Sequence, residues 1–456
     1  MDKYDVVVVG SGTGGQTAAY ELQAQGLKTA VAERSDRPGG VCALYGCQPK
    51  KWFYEVTEII ARSKHLQGKG IVAEPQSLWS AIRAQKNQFT ARIPEGTLNG
   101  LKKADIDFLP GDARFLDHET LEVGAKKLKA KFYLLATGAA PMPLPIAGRE
   151  NLITSDDFLE LEMLPRRILF VGGGFISFEF AHFAARLGPP NSRNIILEVR
   201  DRPLDPFDEE MVGLLVDASR AEGIEVHTNI EIAAITQRSA EFLVTTASGQ
   251  TFAADLVVHG AGREPNRAGL GLEAGGIESS ARGITVDTRM RTSNPQVFAV
   301  GDCAATVQLA RVADYEAHIA AQNILAELRH TAPAQINYAA VPSMLFTYPQ
   351  YGMVGQTEKA LQQHGVAYRR SFAKNLQWPT YRRVGLQHAA YKILVGPDNR
   401  ILGVHLLSDN ASGLINTLKQ AMLNGTPADE LYWQSIMSPY PTRESDLTYM
   451  LQPFLS

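Results

Sequence analysis

With 456 residues the chain is long enough for two or three domains of ordinary size. A net charge of -3 gives no global reason to bind nucleic acid or an anionic membrane, and 45% hydrophobic with 20% charged residues is ordinary for a globular protein. No apolar run approaches the roughly 20 residues that span a bilayer, and three cysteines do not make a disulfide scaffold.

The N-terminus enters an apolar strand almost at once, so no signal peptide is expected and the cytoplasm is the default compartment. Val6, Val7, Val8 and Val9 form the β-branched run expected of a buried parallel strand. They lead into Gly10-Ser11-Gly12-Thr13-Gly14-Gly15, then a helical stretch to about Gly26 and a second strand over 29–32 that ends at Glu33. In Gly10-x-Gly12-x-x-Gly15 the first glycine allows a tight turn, the second lets a pyrophosphate approach the backbone, and the third lets helix and strand pack closely. The helix N-terminus then faces the anion, and Glu33 stands where a carboxylate accepts from ribose hydroxyls. The competing reading is a glycine-rich loop in some other α/β protein.

Next comes Gly39-Gly40-Val41-Cys42-Ala43-Leu44-Tyr45-Gly46-Cys47-Gln48-Pro49-Lys50-Lys51. Cysteines five positions apart can close a disulfide across a distorted helical turn, and a helix N-terminus there would favour the thiolate. Zinc is poorly supported, because Cys303 is the only other cysteine and no tetrahedral set is in sight; no metal site is expected. Two structural core cysteines remain the alternative.

The pattern repeats. A strand over 168–171 meets Gly172-Gly173-Gly174, a helix follows over 175–186, and a strand over 195–197 ends at Glu198. Pro189-Pro190-Asn191-Ser192 is a turn between them. In this second fingerprint, Gly172-x-Gly174-x-x-Ser177, a serine replaces the packing glycine. Glu198 favours NADH over NADPH by repelling a 2′-phosphate, while Arg200 and Arg202 either rescue such a phosphate or belong to a solvated loop. From about Tyr338 the character changes, with strands near 389–395 and 401–407 and then helices. Between Arg369 and Arg383 lie Arg370, Lys374 and Arg382 with Trp378 and Tyr381 interleaved and no acid, which reads as a solvated face or a receptor for an anionic substrate or partner. Cys303 reads as a small buried residue, His405 and His318 as packed or surface histidines.

Together these motifs resemble the pyridine nucleotide-disulfide oxidoreductases, the group of dihydrolipoamide dehydrogenase, glutathione reductase and mercuric reductase. The resemblance covers essentially the whole chain. It rests on the first fingerprint, Gly-Gly-Val-Cys-x-x-x-x-Cys-x-Pro-x-Lys, Ala136-Thr137-Gly138 and the second fingerprint. Gly260-Ala261-Gly262-Arg263-Glu264-Pro265-Asn266, Val300-Gly301-Asp302 and Pro441-Thr442 complete it. It implies an α/β fold with two Rossmann-like dinucleotide-binding domains, for FAD and NAD(P), and a C-terminal α+β dimerisation domain. The expected boundaries are FAD 1–148, NAD(P) 149–270, FAD again 271–333, and interface 334–456. It implies a homodimer, FAD as cofactor, and NADH, with NADPH as the other possibility, as electron source. Cys47 would lie against the flavin as the charge-transfer thiol and Cys42 would be the interchange thiol. Lys51 would pair with Glu179, and Asp302 would bind the ribityl chain. Gly10, Gly12, Gly14, Gly15, Glu33, Gly40, Lys51, Ala113, Thr137, Gly138, Asp302 and Ala310 would hold FAD. Gly172, Gly174, Phe175, Glu198 and Gly262 would hold the nicotinamide nucleotide, Phe175 standing where the family often has a gating tyrosine.

The chain also departs from the family. Disulfide reductases supply an acid/base from His-Pro-Thr-x-x-Glu; here the segment is Tyr440-Pro441-Thr442-Arg443-Glu444-Ser445. A phenol is a poor base at neutral pH, though it donates a hydrogen bond or a proton, and Glu444 is one residue out of register. A tyrosine here resembles mercuric reductases and soluble transhydrogenases. The former add a C-terminal cysteine pair that this sequence does not carry; the latter lack the complete pair that it keeps. The first reading is therefore an NADH-dependent reductase acting through Cys42 and Cys47 on a small disulfide, a persulfide or a thiophilic metal ion. Two others stand beside it: a diaphorase or transhydrogenase reducing quinones, metals or nucleotides directly from flavin, and an FAD-containing redox-sensing binding protein.

Overall fold

The structure is a computed structural model that describes residues 2–455, and the described chain forms two compact units. One comprises residues 2–52, 83–143 and 262–337; the other comprises 53–82, 144–261 and 338–455.

In the first unit the strand Asp2–Val9 lies between Thr29–Glu33 and Lys126–Leu135 and is parallel to both. Val9 pairs with Ala32 on one side and Leu135 on the other, and Leu135 pairs in turn with Ala299. The carboxyl ends of these strands thus share one edge. From it leave Gly10, Ala136 and Val300, the first residues beyond each strand, each opening one of the sequence motifs. In open parallel sheets this edge is where ligands bind. Val6, Val7 and Val8 are fully buried, as a strand covered on both faces requires. The helices Thr13–Ala24 and Ala310–Arg329 cover one side of this sheet through Ala18, Ala19, Leu22, Ala317, Ala320 and Ile324.

The second unit contains a parallel sheet in the order Ile224–His227, Arg193–Leu197, Arg167–Val171, Leu256–His259. The helix Phe175–Leu187 packs on it through Phe178, Ala181 and Phe183. A five-stranded antiparallel sheet carries the C-terminal region, in the order Pro342–Leu345, Gln350–Gly355, Ile401–Ser408, Ala390–Val395, Arg369–Lys374. Lys392, on the fourth of these strands and 1% exposed, is bound by Asp208 at 2.8 Å and by Glu210 and Glu358 at 2.9 Å. A charge so deeply buried is tolerable only with such partners. Among the described residues no helix is long and apolar enough to cross a membrane.

Candidate active site

The cysteine segment breaks between two helices. Cys42 lies in Gly40–Leu44, whereas Cys47 opens Cys47–Leu66; between them Tyr45 and Gly46 both donate to the Val41 carbonyl. The expected distorted turn is thus a true helix break, with a thiol on each side. Two contacts dock this segment on the first fingerprint: Gly39 N donates to Ser11 Oγ at 3.0 Å, and Gly40 meets Gly12 backbone to backbone. Gly40 has φ +76°, and a Cβ there would stand 2.4 Å from Gly12 Cα.

Both cysteines are free thiols and hydrogen-bond to each other. The bond from Cys42 is the main cause that lowers Cys47 to about 7, with Lys50 one turn along adding to it. Cys47 is exposed, yet enough protein surrounds its sulfur for burial to oppose that shift. Cys42 is pushed well up, first by its bond to Cys47 and then by burial. The hydrogen bond therefore favours the proton on Cys42 and the negative charge on Cys47. Sequence reasoning missed two groups that act on Cys42, Asp314 raising its pKa and Arg311 lowering it. Arg311 Nη1 binds Asp314 Oδ2 at 2.8 Å, and Asp314 accepts from Thr13 Oγ1 at the start of the fingerprint helix. Nothing in the local sequence signals this, since the two lie far along the chain from the cysteines.

Around the fingerprint, Gly10 has φ +110°, and a Cβ there would sit 2.3 Å from the Ala136 carbonyl. Gly15 is equally closed, against the Gly10 carbonyl, and Gly14 faces Ala313. Glu33 Oε2 accepts from Ser11 N at 2.9 Å and Ser11 Oγ at 2.8 Å, and Oε1 accepts from Ser35 N, which fixes the carboxylate at the strand end. Thr137 and Gly138 are locked to Asn266: Thr137 Oγ1 donates to Asn266 O at 2.8 Å, and Asn266 N donates to Gly138 O at 2.9 Å. Two distant motifs thereby become one turn, with Gly262 accepting from Met142 N. Burial raises the Asp302 carboxyl against the opposing pull of Arg263. Ala113 is buried in the strand Ala113–Phe115, and Ala310 opens the helix Ala310–Arg329. This crowding of backbone at a strand edge, with a fixed carboxylate and a helix N-terminus, fits a dinucleotide.

The second fingerprint is built alike. Gly172 meets Ala261, Gly174 meets the Gly260 carbonyl, and Glu198 Oε2 accepts from Gly173 N at 2.6 Å while Oε1 accepts from Arg200 N at 2.8 Å. Ser177 stands in the place of the glycine, and its hydroxyl donates to the Gly172 carbonyl. Phe175, the first residue of its helix, is 48% exposed. Glu179, 1% exposed, accepts from Phe346 N at 2.9 Å; it belongs to the second unit and Lys51 to the first.

In the C-terminal segment Tyr440 is 76% exposed. Ser445, in the position of the family's glutamate, is used locally, its hydroxyl donating to Thr442 O at 2.7 Å. Glu444 Oε1 accepts from Asn410 Nδ2 at 2.9 Å. Of the basic stretch, Arg370 pairs with Glu358 and Glu210, Arg369 binds Asn399, and Arg383 donates to Pro441 O. Trp378 and Tyr381 belong to the core beside Tyr391 rather than to a receptor surface. Cys303 is fully buried. His405 is buried and held by Gln356 O, its pKa lowered to about 4 by burial, and His318 pairs at the surface with Glu21.

Comparison with known proteins matches residues 4–317 to a pyridine nucleotide-disulphide oxidoreductase model and residues 341–450 to the dimerisation domain of the same family. A dihydrolipoyl dehydrogenase of Bacillus subtilis is 31% identical over 444 residues, covering 94% of this chain and 92% of its own. A glutathione reductase of Schizosaccharomyces pombe is 28% identical with 98% of each chain covered, and a mercuric reductase of Lysinibacillus sphaericus is 28% identical with 98% and 82% covered. The fold is shared with a solved copper(II) complex of an HOCl-induced flavoprotein disulfide reductase from Escherichia coli, at 24% identity, TM-score 0.88 and full coverage of both chains. On these matches the chain belongs to the pyridine nucleotide-disulphide oxidoreductases, FAD-dependent enzymes that draw electrons from NAD(P)H and assemble through a C-terminal dimerisation domain.

Proposed function

We propose that this enzyme passes electrons from NADH through the Cys42–Cys47 pair to a small acceptor that Cys42 attacks, with a disulfide or persulfide as the covalent case. The single observation that carries the reading is the hydrogen-bonded, charge-separated thiol pair docked on the first fingerprint.

FAD, when bound, supplies two-electron transfer between the nicotinamide and the cysteines. Gly10, Gly12, Gly14, Gly15 and Gly40 would admit its phosphates, Glu33 its ribose, and Thr137, Gly138, Asp302, Ala310 and Ala113 the rest. Lys51 and Glu179 would form the ion pair of the hydride side. Gly172, Gly174, Glu198, Phe175 and Gly262 would hold the nucleotide. In the oxidised pair two electrons break the Cys42–Cys47 bond and leave a thiol and a thiolate. Cys42 attacks an acceptor disulfide, forms a mixed disulfide and expels a thiolate; the partner subunit's Tyr440 gives that thiolate its proton and is reprotonated by the one that Cys42 loses. Cys47 then attacks Cys42 Sγ, expels the second thiolate and restores the pair. The balance is NADH, a proton and a disulfide in, NAD⁺ and two thiols out. Glu444 stands in the same segment as a secondary candidate. The FAD, NAD(P) and interface divisions at 148, 270 and 333 and a cytoplasmic location belong to the same proposal. A thiophilic metal ion remains the other acceptor of this proposal, and copper(II), held in the solved complex of the Escherichia coli neighbour, is the ion to try first.

Titration of the purified enzyme with one equivalent of NADH, followed by a thiol count, tests the reading. Two new thiols are expected; flavin bleaching without new thiols would favour direct transfer from flavin, and no bleaching would favour a binding protein. Gly40→Ala should cut FAD retention at least about tenfold. A left-handed alanine alone costs about 1–2 kcal/mol before its overlap with Gly12 is counted, and the flavin-to-protein absorbance ratio reads the loss. Because Glu198 is fixed by two amides with both oxygens engaged, kcat/KM should favour NADH over NADPH. A large advantage for NADPH would remove this part of the proposal.

A further inference from the structure

The loop that follows Glu198 folds back on the second fingerprint. Leu204 N donates to Gly173 O at 3.0 Å, and Pro203 closes against Gly173. Leu204 takes φ +52°, a conformation that branched side chains rarely adopt, so the turn is held by its contacts. At its far end Asp208 is fixed to the buried Lys392. The backbone of the loop is thus anchored at both ends, while its arginines are free to differ in what holds them.

Asp205 stands between them. Its Oδ2 binds Arg200 Nη1 at 2.8 Å and its Oδ1 binds Arg202 Nη2 at 3.2 Å. Arg202 is 16% exposed and donates as well to the Phe207 and Asp205 carbonyls, so it is built into the turn. Arg200 is 62% exposed, and its guanidinium is held by Asp205. It lies two residues from Glu198, and its own amide donates to that carboxylate. It is therefore the cation placed to meet a phosphate esterified on the ribose that Glu198 would bind.

We propose that Asp205 is a coenzyme-specificity residue that withholds Arg200 from the 2′-phosphate of NADPH. It does so twice over, by pairing with the guanidinium and by adding a second carboxylate to the approach of a dianion. The inference rests on the proposed assignment of Glu198 to the ribose of NADH and adds a second, removable determinant to it. An exposed ion pair is weak, so the expected effect is about tenfold rather than a complete switch.

The test is direct binding to the holoenzyme, with 2′,5′-ADP as the phosphate-bearing probe and 5′-AMP as its control. Asp205→Asn is expected to tighten 2′,5′-ADP about tenfold, to leave 5′-AMP within about twofold, and to lose the gain at high salt as a screened interaction must. Asp205→Glu should behave as the parent, and Arg200→Gln in the Asp205→Asn background should return the affinity to the parent value. Unchanged 2′,5′-ADP binding in Asp205→Asn, or equal changes for both probes, would overturn the inference, the latter outcome marking Asp205 as a support of the turn. A parent enzyme that already binds 2′,5′-ADP more tightly than 5′-AMP would instead sink the NADH assignment itself.

Discussion

Cys42→Ser should lower reduction of a disulfide acceptor by at least about 10³-fold, the scale of losing a covalent nucleophile, while NADH still bleaches the flavin. The same variant should show a long-wavelength charge-transfer band without any reductant, since Cys47 is left as an unpaired thiolate; Cys47→Ser should abolish the band. The pH dependence follows from the pair's asymmetry. Cys47 is lowered to about 7, first by the hydrogen bond from Cys42, so in the two-electron-reduced parent the band should persist above that pH and fade as the pH drops through it. Cys42→Ala removes the donor, whereas Cys42→Ser keeps a hydroxyl. The fading point should therefore rise in the alanine variant more than in the serine variant, as stopped-flow or anaerobic absorbance titration will read. Quinone reduction should be little affected by Cys42→Ser. If disulfide reduction is also unaffected, electrons leave directly from flavin and the pair is not on the path.

Tyr440→Phe should slow disulfide turnover about 10²-fold, the usual contribution of a positioned general acid, and leave the charge-transfer band intact. The Cys42 pKa is raised by its bond to Cys47, so a group must take its proton as it attacks and return one to the departing thiolate, and the serine in the glutamate position is engaged by Thr442. Tyr440 is the exposed hydroxyl of that segment. Turnover with cupric or mercuric ions should be unchanged, because those acceptors need no positioned proton. Equal turnover with disulfides in parent and variant would retire the role of Tyr440 and leave that of the cysteines standing.

Much of this protein is legible in its sequence because the relevant physics is local. Glycines before a helix, a carboxylate ending the next strand, and two cysteines five residues apart each constrain a few neighbouring residues, so spacing is enough to read them. The strands over 6–9 and 29–32 and the helix beginning at Phe175 fall where the pattern places them, and the family matches bear out the fold and the FAD chemistry. Ser177, which the pattern shows in the place of the packing glycine, gains from the structure one further fact: its hydroxyl donates to the Gly172 carbonyl.

What only the tertiary structure decided are the pairings between residues far apart along the chain. The sequence places Trp378 and Tyr381 among basic residues, but folding buries Tyr381 and packs the half-buried Trp378 against it and against Tyr391. It offered Arg200 and Arg202 as possible phosphate ligands, and the turn at Leu204 brings Asp205 onto both. It gave no sign that Arg311 and Asp314 act on Cys42, because that depends on the helix Ala310–Arg329 packing beside Thr13–Ala24. Spacing dictates which backbone conformations and short-range hydrogen bonds are available. Charge, proton position and specificity depend on which distant side chains share a few ångströms, and that is fixed only when the sheets and helices close on one another.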